Sequence, residues 1–195
     1  SACGQDYTLL LTTRSNVCTV SCSTAVSVTD NAVPTLTCPA DRILNCPADT
    51  STNANGVATA TDSCSRVTIT YSDSVTSGCG VSQIIARTWT ATDECGNAVS
   101  GTQTIIVRDI TKPVIAALPG PTTIDCPATP SFAQATATDT CDQSVTLSFQ
   151  DVTTPGNCAG NYSVTRTWTA TDDCGNFSTA SQTITVRDIT KPVIA

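Results

Sequence analysis

A chain of 195 residues with a formal net charge of −7 holds no His, no Met and twelve Cys. Its acidic balance lacks the basic face that nucleic acid requires, the absence of His removes Ser-His and Cys-His nucleophile systems, and no apolar run approaches the ~18 residues of a membrane span. Thr fills 38 positions against a single Glu, and with helix formers this scarce the composition predicts an all-β protein.

The cysteines show neither CxxC nor Cys-His spacing, so they read as disulfides rather than zinc ligands. Disulfides persist outside the cytosol and cross-link small domains with thin cores. An extracellular protein, secreted or at a cell surface, is expected. Nothing at the start reads as a secretory leader, which points to a processed or partial chain.

In chain order, residues 1–35 are a partial module. "CGQDYTLLLTTRSNVC" (3–18) parallels "CAGNYSVTRTWTATDDC" (158–174), and "VSVTDNAVP" (26–34) parallels "ITVRDITKP" (184–192). Residues 36–112 hold a whole module, predicted as five strands: "RILNC", "VATATDSC", "VTITYSDS", "SQIIARTWTATD" and "TQTIIVRD". Apolar and polar residues alternate within these runs, and Gly, Asn, Asp and Pro cluster between them. In the turn "DECGN", Asp opens the turn and Gly supplies a left-handed position. Residues 113–191 repeat the module at a shift of 79, carrying "RTWTATDECGN" (87–97) onto "RTWTATDDCGN" (166–176) and "RDITKPVIA" (108–116) onto 187–195. Residues 192–195 open a further seam. Modules of this size and strand count suggest tandem Ig-like β-sandwiches, cross-linked and strung into an extended rod or filament.

The segments "ATATDSC", "RTWTATDECGN", "TQTIIVRDITKPVI" and "LTCPADRIL" resemble hyalin-repeat (HYR and HYR-like) modules of large secreted surface proteins and adhesins. The resemblance covers both full copies and the half-copy, although the half-copy lacks the Trp and the Gly-Asn. It implies an Ig-like fold, an extracellular place and a role in adhesion or surface filaments, with no enzymatic activity.

Four Cys per module allow three connectivities. A continuous strand between Cys79 and Cys95 spans roughly 40 Å, while disulfide Cα atoms lie within about 7 Å. An up-and-down strand order puts Cys64 and Cys95 at one end of a sandwich and Cys46 and Cys79 at the other. The expected pairs are therefore Cys64–Cys95, Cys46–Cys79, Cys141–Cys174 and Cys126–Cys158. The long loop 47–56 leaves Cys46–Cys64 open as a rival. Cys22 and Cys38 have no counterpart in the later copy and pair as a staple across the first seam, unless Cys22 bonds a residue before the chain start. Cys3 and Cys18 are left over; by the module logic their partners belong to a missing front half, unless they bond each other.

Asp recurs at equivalent points. Asp62 and Asp139 precede a Cys, Asp93 and Asp172 open the other turn, and Asp30, Asp109 and Asp188 close the fifth strand. Their commoner role is to accept backbone N–H bonds in turns. Clustered at a seam they are also candidate calcium ligands, and no other cofactor is expected. Trp89 and Trp168 share a strand face with Arg87 and Arg166, which suits a core Trp covered by an Arg stem better than an exposed stacking site. Asn161 in "NYS" and Asn176 in "NFS" are candidate N-glycosylation acceptors in a eukaryotic source. Asp93-Glu94 and Asp172-Asp173 are poor carboxylate pairs for glycoside hydrolysis, because adjacent strand-end residues point in opposite directions.

The expected function is a stiff, disulfide-stapled spacer in an extracellular filament, stalk or adhesin, with neighbouring copies joined head to tail. Alternatives are an adhesion module that grips a cell-surface glycan or protein through loops 47–56 and 153–160, and an accessory domain of a larger extracellular enzyme.

Overall fold

The computed structural model describes residues 5–14 and 19–191. The described residues are all-β apart from one helical turn. Two strands, β1 (Gln5–Arg14) and β2 (Thr19–Val28), form an antiparallel hairpin in register from Gln5↔Val28 to Arg14↔Thr19. These are the counterparts of the last two strands of a full copy. Tyr7, Leu9, Leu10, Leu11, Val20, Val26 and Val28 are exposed on it.

The first full copy contributes β3 (Thr35–Thr37), β4 (Arg42–Asn45), helix α1 (Thr52–Asn55), β5 (Thr59–Thr61), β6 (Val67–Ser77), β7 (Gln83–Asp93) and β8 (Ala98–Arg108). β3 pairs with β5, and the other four make a sheet in the order β4-β8-β7-β6. The second copy repeats this with β9 (Val114–Ile115), β10 (Thr122–Asp125), β11 (Ala137–Thr138), β12 (Val145–Pro155), β13 (Tyr162–Asp172) and β14 (Phe177–Arg187). β11 pairs with β9, and the larger sheet runs β10-β14-β13-β12. The first long-sheet strand of a copy lies beside the last, parallel to it, with Thr122 opposite Ile184 and Asp125 opposite Arg187. An up-and-down neighbour order is thereby corrected: alternation fixes which face a residue takes, not which strand lies next to which. The short strands β3 and β9 fall within stretches read as seam.

The alternation decides the core. On β7 the side chains of Ile85, Arg87, Trp89, Ala91 and Asp93 are buried, while Thr88, Thr90 and Thr92 are half-buried. β8 buries Gln103, Ile105 and Val107 in the same rhythm. Trp89 is 2 % exposed, with Tyr71 5.1 Å away between ring centroids; Trp168 is 2 % exposed, with Phe149 at 4.9 Å. One large aromatic per copy thus supplies much of a core otherwise built from small and β-branched side chains. Gln103 Nε2 donates to Ala40 O and Asn55 O, both at 2.9 Å, and so ties the chain around β3 and α1 to β8.

By contact the chain falls into two units. One gathers residues up to Ile43 with Asp49–Thr76 and Ile84–Ile106; the other gathers Leu44–Ala48, Ser77–Gln83 and the residues from Val107 onward. No helix among the described residues is long and apolar enough to cross a membrane.

Candidate functional site

Two disulfides organise the second unit. Cys46 bonds Cys141 with Cα atoms 5.9 Å apart, and Cys79 bonds Cys174 with Cα atoms 5.1 Å apart. Both join a cysteine of the first sequence copy to one of the second, 95 residues on. The first cysteine of a copy takes the second of the next, and the third takes the fourth.

This overturns the within-copy pairs. Cys46 and Cys79 do follow strands that end at one side of the sheet, and Cys46 N donates to Arg108 O at 2.9 Å beside the end of β8. In the order β4-β8-β7-β6, however, the strands they follow are separated by two others, about 14 Å at the usual strand spacing, twice what a disulfide tolerates. The same width separates Cys126 from Cys158, and neither is bonded. Cys141–Cys174 is excluded because both sulfurs are taken by the first copy. Cys64–Cys95 is excluded because Cys64 is free and Cys95 is bonded elsewhere. The staple Cys22–Cys38 does not form either: Cys22 sits in β2 opposite Leu11, while the Cys38 sulfur packs so closely over β8 that a Cβ on Gly101 would lie 2.6 Å from it. The pair Cys3–Cys18 lies outside the described residues.

The aspartates build the turns around these bonds. Asp93 Oδ1 accepts from the backbone N–H of Cys95 and Asn97 at 2.9 and 2.8 Å, and its Oδ2 accepts from Asn97 Nδ2 at 2.8 Å. Gly96 in this turn has φ +88° with nothing within 4 Å of an added Cβ, so conformation alone requires the glycine. Burial works to raise the Asp93 pKa, but the bonds from Asn97, Cys95 and Gly96 outweigh it and hold the carboxyl below its usual range. Asp172 repeats the arrangement with Asn176.

Asp62 Oδ1 accepts from Cys64 N (2.7 Å) and Ser65 N (3.0 Å), and Asp139 Oδ1 from Cys141 N (2.7 Å) and Asp142 N (3.1 Å). The fold brings carboxylates of Asp109 and Asp139 together with the Cys141 sulfur, their candidate donor atoms within 4.8 Å of one another. It likewise brings together Asp30 with Asp62 and Cys64, and Asp30 with Asp93 and Cys95. Asp172 and Asp188 join no such group among the described residues. Asp142 was missed by sequence reasoning, although its position directly after Cys141, where the earlier copy has Ser65, was the available signal.

The aromatic-strand arginines and the sequon asparagines have defined partners. Arg87 is 3 % exposed; its Nε and Nη2 each bond the Asp73 carboxylate at 2.8 Å, and its guanidinium lies 4.8 Å from the Tyr71 ring centroid. Arg166 pairs with Asp151 and stacks 3.8 Å from the centroid of Phe149. Both arginines are thus committed within their own copies. Asn176 Nδ2 donates to Asp172 Oδ2 and Asp109 O, and Asn161 Nδ2 to Asn157 Oδ1. The nitrogen a glycan would occupy is engaged at both sequons.

One family model matches part of the chain. Residues 114–186 match the family model of the HYR-like domain with 4 cysteines. That HYR-like stretch holds Cys126, Cys141, Cys158 and Cys174, the four positions that recur in the first copy as Cys46, Cys64, Cys79 and Cys95. No curated protein matches the chain. Among solved structures, the protocadherin gamma B4 extracellular domain superimposes with a TM-score of 0.38 at 16 % identity, over 93 % of this chain and 38 % of that one. Drosophila N-cadherin EC1-4 gives 0.38 at 14 % identity, over 95 % and 58 %. The chain spans less than two thirds of either structure's length, and a likeness at this level carries no inference about binding or assembly.

Proposed function

We propose that this segment is a structural repeat of an extracellular adhesion-type protein, a stiff spacer in which each HYR-like copy is bonded covalently to the next. The observation that carries this reading is the pairing of Cys46 with Cys141 and of Cys79 with Cys174, each across a copy boundary. A disulfide within a copy stabilises that copy alone, whereas one across copies carries load past the seam. Disulfides of this kind belong to an oxidising compartment. The carboxylates and arginines serve turns and core packing, and in this reading none is asked to perform catalysis.

The same register gives Cys126 and Cys158 a role. They stand one copy on from Cys46 and Cys79, and their settings repeat. Cys126 N donates to Arg187 O at 2.8 Å as Cys46 N does to Arg108 O, and the loop beside Cys158 closes with Gly156 N to Asn161 O at 2.8 Å as Gly78 N closes to Ser82 O at 2.7 Å. They are the positions that a following head-to-tail copy would bond through its own second and fourth cysteines.

Pulling the intact chain from its ends in a single-molecule force experiment tests the spacer reading. Either cross-copy bond withdraws about 95 residues from the extensible path, so oxidised protein stops at least ~310 Å short of reduced protein. Equal extension in both states would overturn the reading.

A further inference from the structure

Each aspartate near the cross-copy bonds uses one carboxylate oxygen to cap a turn, and the second oxygen is where two of them depart from ordinary capping. Asp109 Oδ1 accepts from Thr111 N at 2.9 Å and Asp139 Oδ1 from Cys141 N at 2.7 Å. Asp109 Oδ2 and Asp139 Oδ2 are buried with no hydrogen-bond partner, and Asp109 as a whole is 7 % exposed. Asp142, 4 % exposed, lies beside them, its Oδ1 accepting from Ser144 N and its Oδ2 from Asp173 N, both at 2.8 Å. The ion pairs among the described residues involve Asp73, Asp151 and Asp125, so no arginine or lysine pairs with this trio. Buried carboxylates held near each other without a counter-charge are costly.

Oxygens of Asp109 and Asp142 and the Cys141 carbonyl, which also accepts from Val81 N at 3.2 Å, face one place, and a carboxylate oxygen of Asp139 lies within 4.8 Å of one of Asp109. A Cβ added to Gly80 would lie 3.1 Å from Cys141 O, 3.2 Å from Asp142 Oδ2 and 3.3 Å from Asp109 Oδ2. Gly80 has φ +52°, and any side chain at this position would crowd these oxygens. Oxygen donors of this kind, three carboxylates and a carbonyl, suit a hard divalent cation. Calcium tolerates irregular geometry and completes its shell with water.

The first unit shows the same construction independently. Asp30 Oδ2 and Ser65 Oγ are buried without partners, while Asp30 Oδ1 accepts from Ala32 N at 3.0 Å and Asp62 Oδ1 from Ser65 N at 3.0 Å. Asp30, Asp62 and Ser65 are the positions of Asp109, Asp139 and Asp142 one copy earlier, with a hydroxyl in place of the third carboxylate.

We propose that Asp109, Asp139, Asp142 and Cys141 O bind a calcium ion, and that Asp30, Asp62 and Ser65 form a second, weaker site. This inference does not depend on the spacer reading, since it concerns carboxylates within each unit.

The test is calorimetric titration of the intact, oxidised chain with calcium after chelator treatment, with thermal unfolding followed alongside. Two sites of unequal affinity are expected, together with a rise in Tm on adding calcium. D109N and D139N keep the oxygens that cap the turns. Each should weaken the tighter site at least ~10-fold, in line with the dependence of affinity on ligand charge, yet raise Tm in chelator by relieving repulsion. S65D should tighten the weaker site. A purely turn-capping role predicts instead that D109N and D139N never raise Tm and that calcium changes nothing. Absence of binding up to about 10 mM calcium, tenfold above the weakest extracellular modules, overturns the proposal, as does binding that D109N and D139N leave unchanged.

Discussion

Removing Cys79 and Cys174 one at a time and together distinguishes a cross-copy bond from any within-copy scheme. The two cysteines are 95 residues apart, but Cys46–Cys141 already shortens the loop. The path from Cys79 back to Cys46, over that bridge and on from Cys141 to Cys174 is about 66 residues, and loop-closure entropy then sets the loss at about 4.3 kcal/mol, against about 4.7 kcal/mol for whichever bond is removed last. C79S and C174S should each cost about 4.3 kcal/mol, and the double variant no more, because all three lose one and the same bond. Had Cys79 been joined to Cys46 and Cys174 to Cys141, the two substitutions would break separate loops at about 3.7 kcal/mol each, and their effects would add to more than about 7 kcal/mol. Guanidinium unfolding at fixed m-value reads the difference. Acid-quenched, non-reducing peptide mapping of the wild type should show Cys79 linked to Cys174. Additive losses in the double variant would refute the cross-copy assignment.

Acid should weaken the first copy in a way traceable to Asp73. The hydrogen bonds from Arg87 hold the Asp73 carboxyl below its ordinary range, so the stabilisation is present above that range and is lost as pH falls through the lowered folded value. D73N should flatten this acid limb, and D73A should cost about 2 kcal/mol at neutral pH, less than a fully buried pair because Asp73 is 30 % exposed; urea melts between pH 2 and 7 provide the check. Q103A strands the carbonyls of Ala40 and Asn55 and should cost about 1–3 kcal/mol, read as a lower unfolding midpoint, with protection from hydrogen exchange reduced around residues 40 and 55.

The repeat, the long strands and the buried Trp were legible in the sequence, because each leaves a periodic trace: a shift of 79, an alternation of two, one Trp on the inward face of β7 and of β13; the short β3 and β9 leave none and were read as seam. The ends of the sheet at which Cys46 and Cys79 lie were legible too. Their partners were not, since alternation does not reveal that β8 and β7 stand between β4 and β6, nor that a cysteine of the next copy comes closer than one across the sheet. The aspartates divided in the same manner. Capping by Oδ1 follows from the Asp-x-Cys spacing of the turn, whereas the unpartnered Oδ2 of Asp109 depends on Gly80, 29 positions away in sequence.

The disulfide register also governs how such a chain is made. During synthesis from the N-terminus, Cys46 reaches an oxidising compartment 95 residues ahead of Cys141, and Cys79 precedes Cys174 by the same interval. Cys46 and Cys79 therefore emerge with no correct partner until the second copy arrives, while wrong partners such as Cys64 are nearer in sequence. The second copy closes these two bonds of the first, and a thiol–disulfide isomerase is needed most while Cys46 and Cys79 still await it.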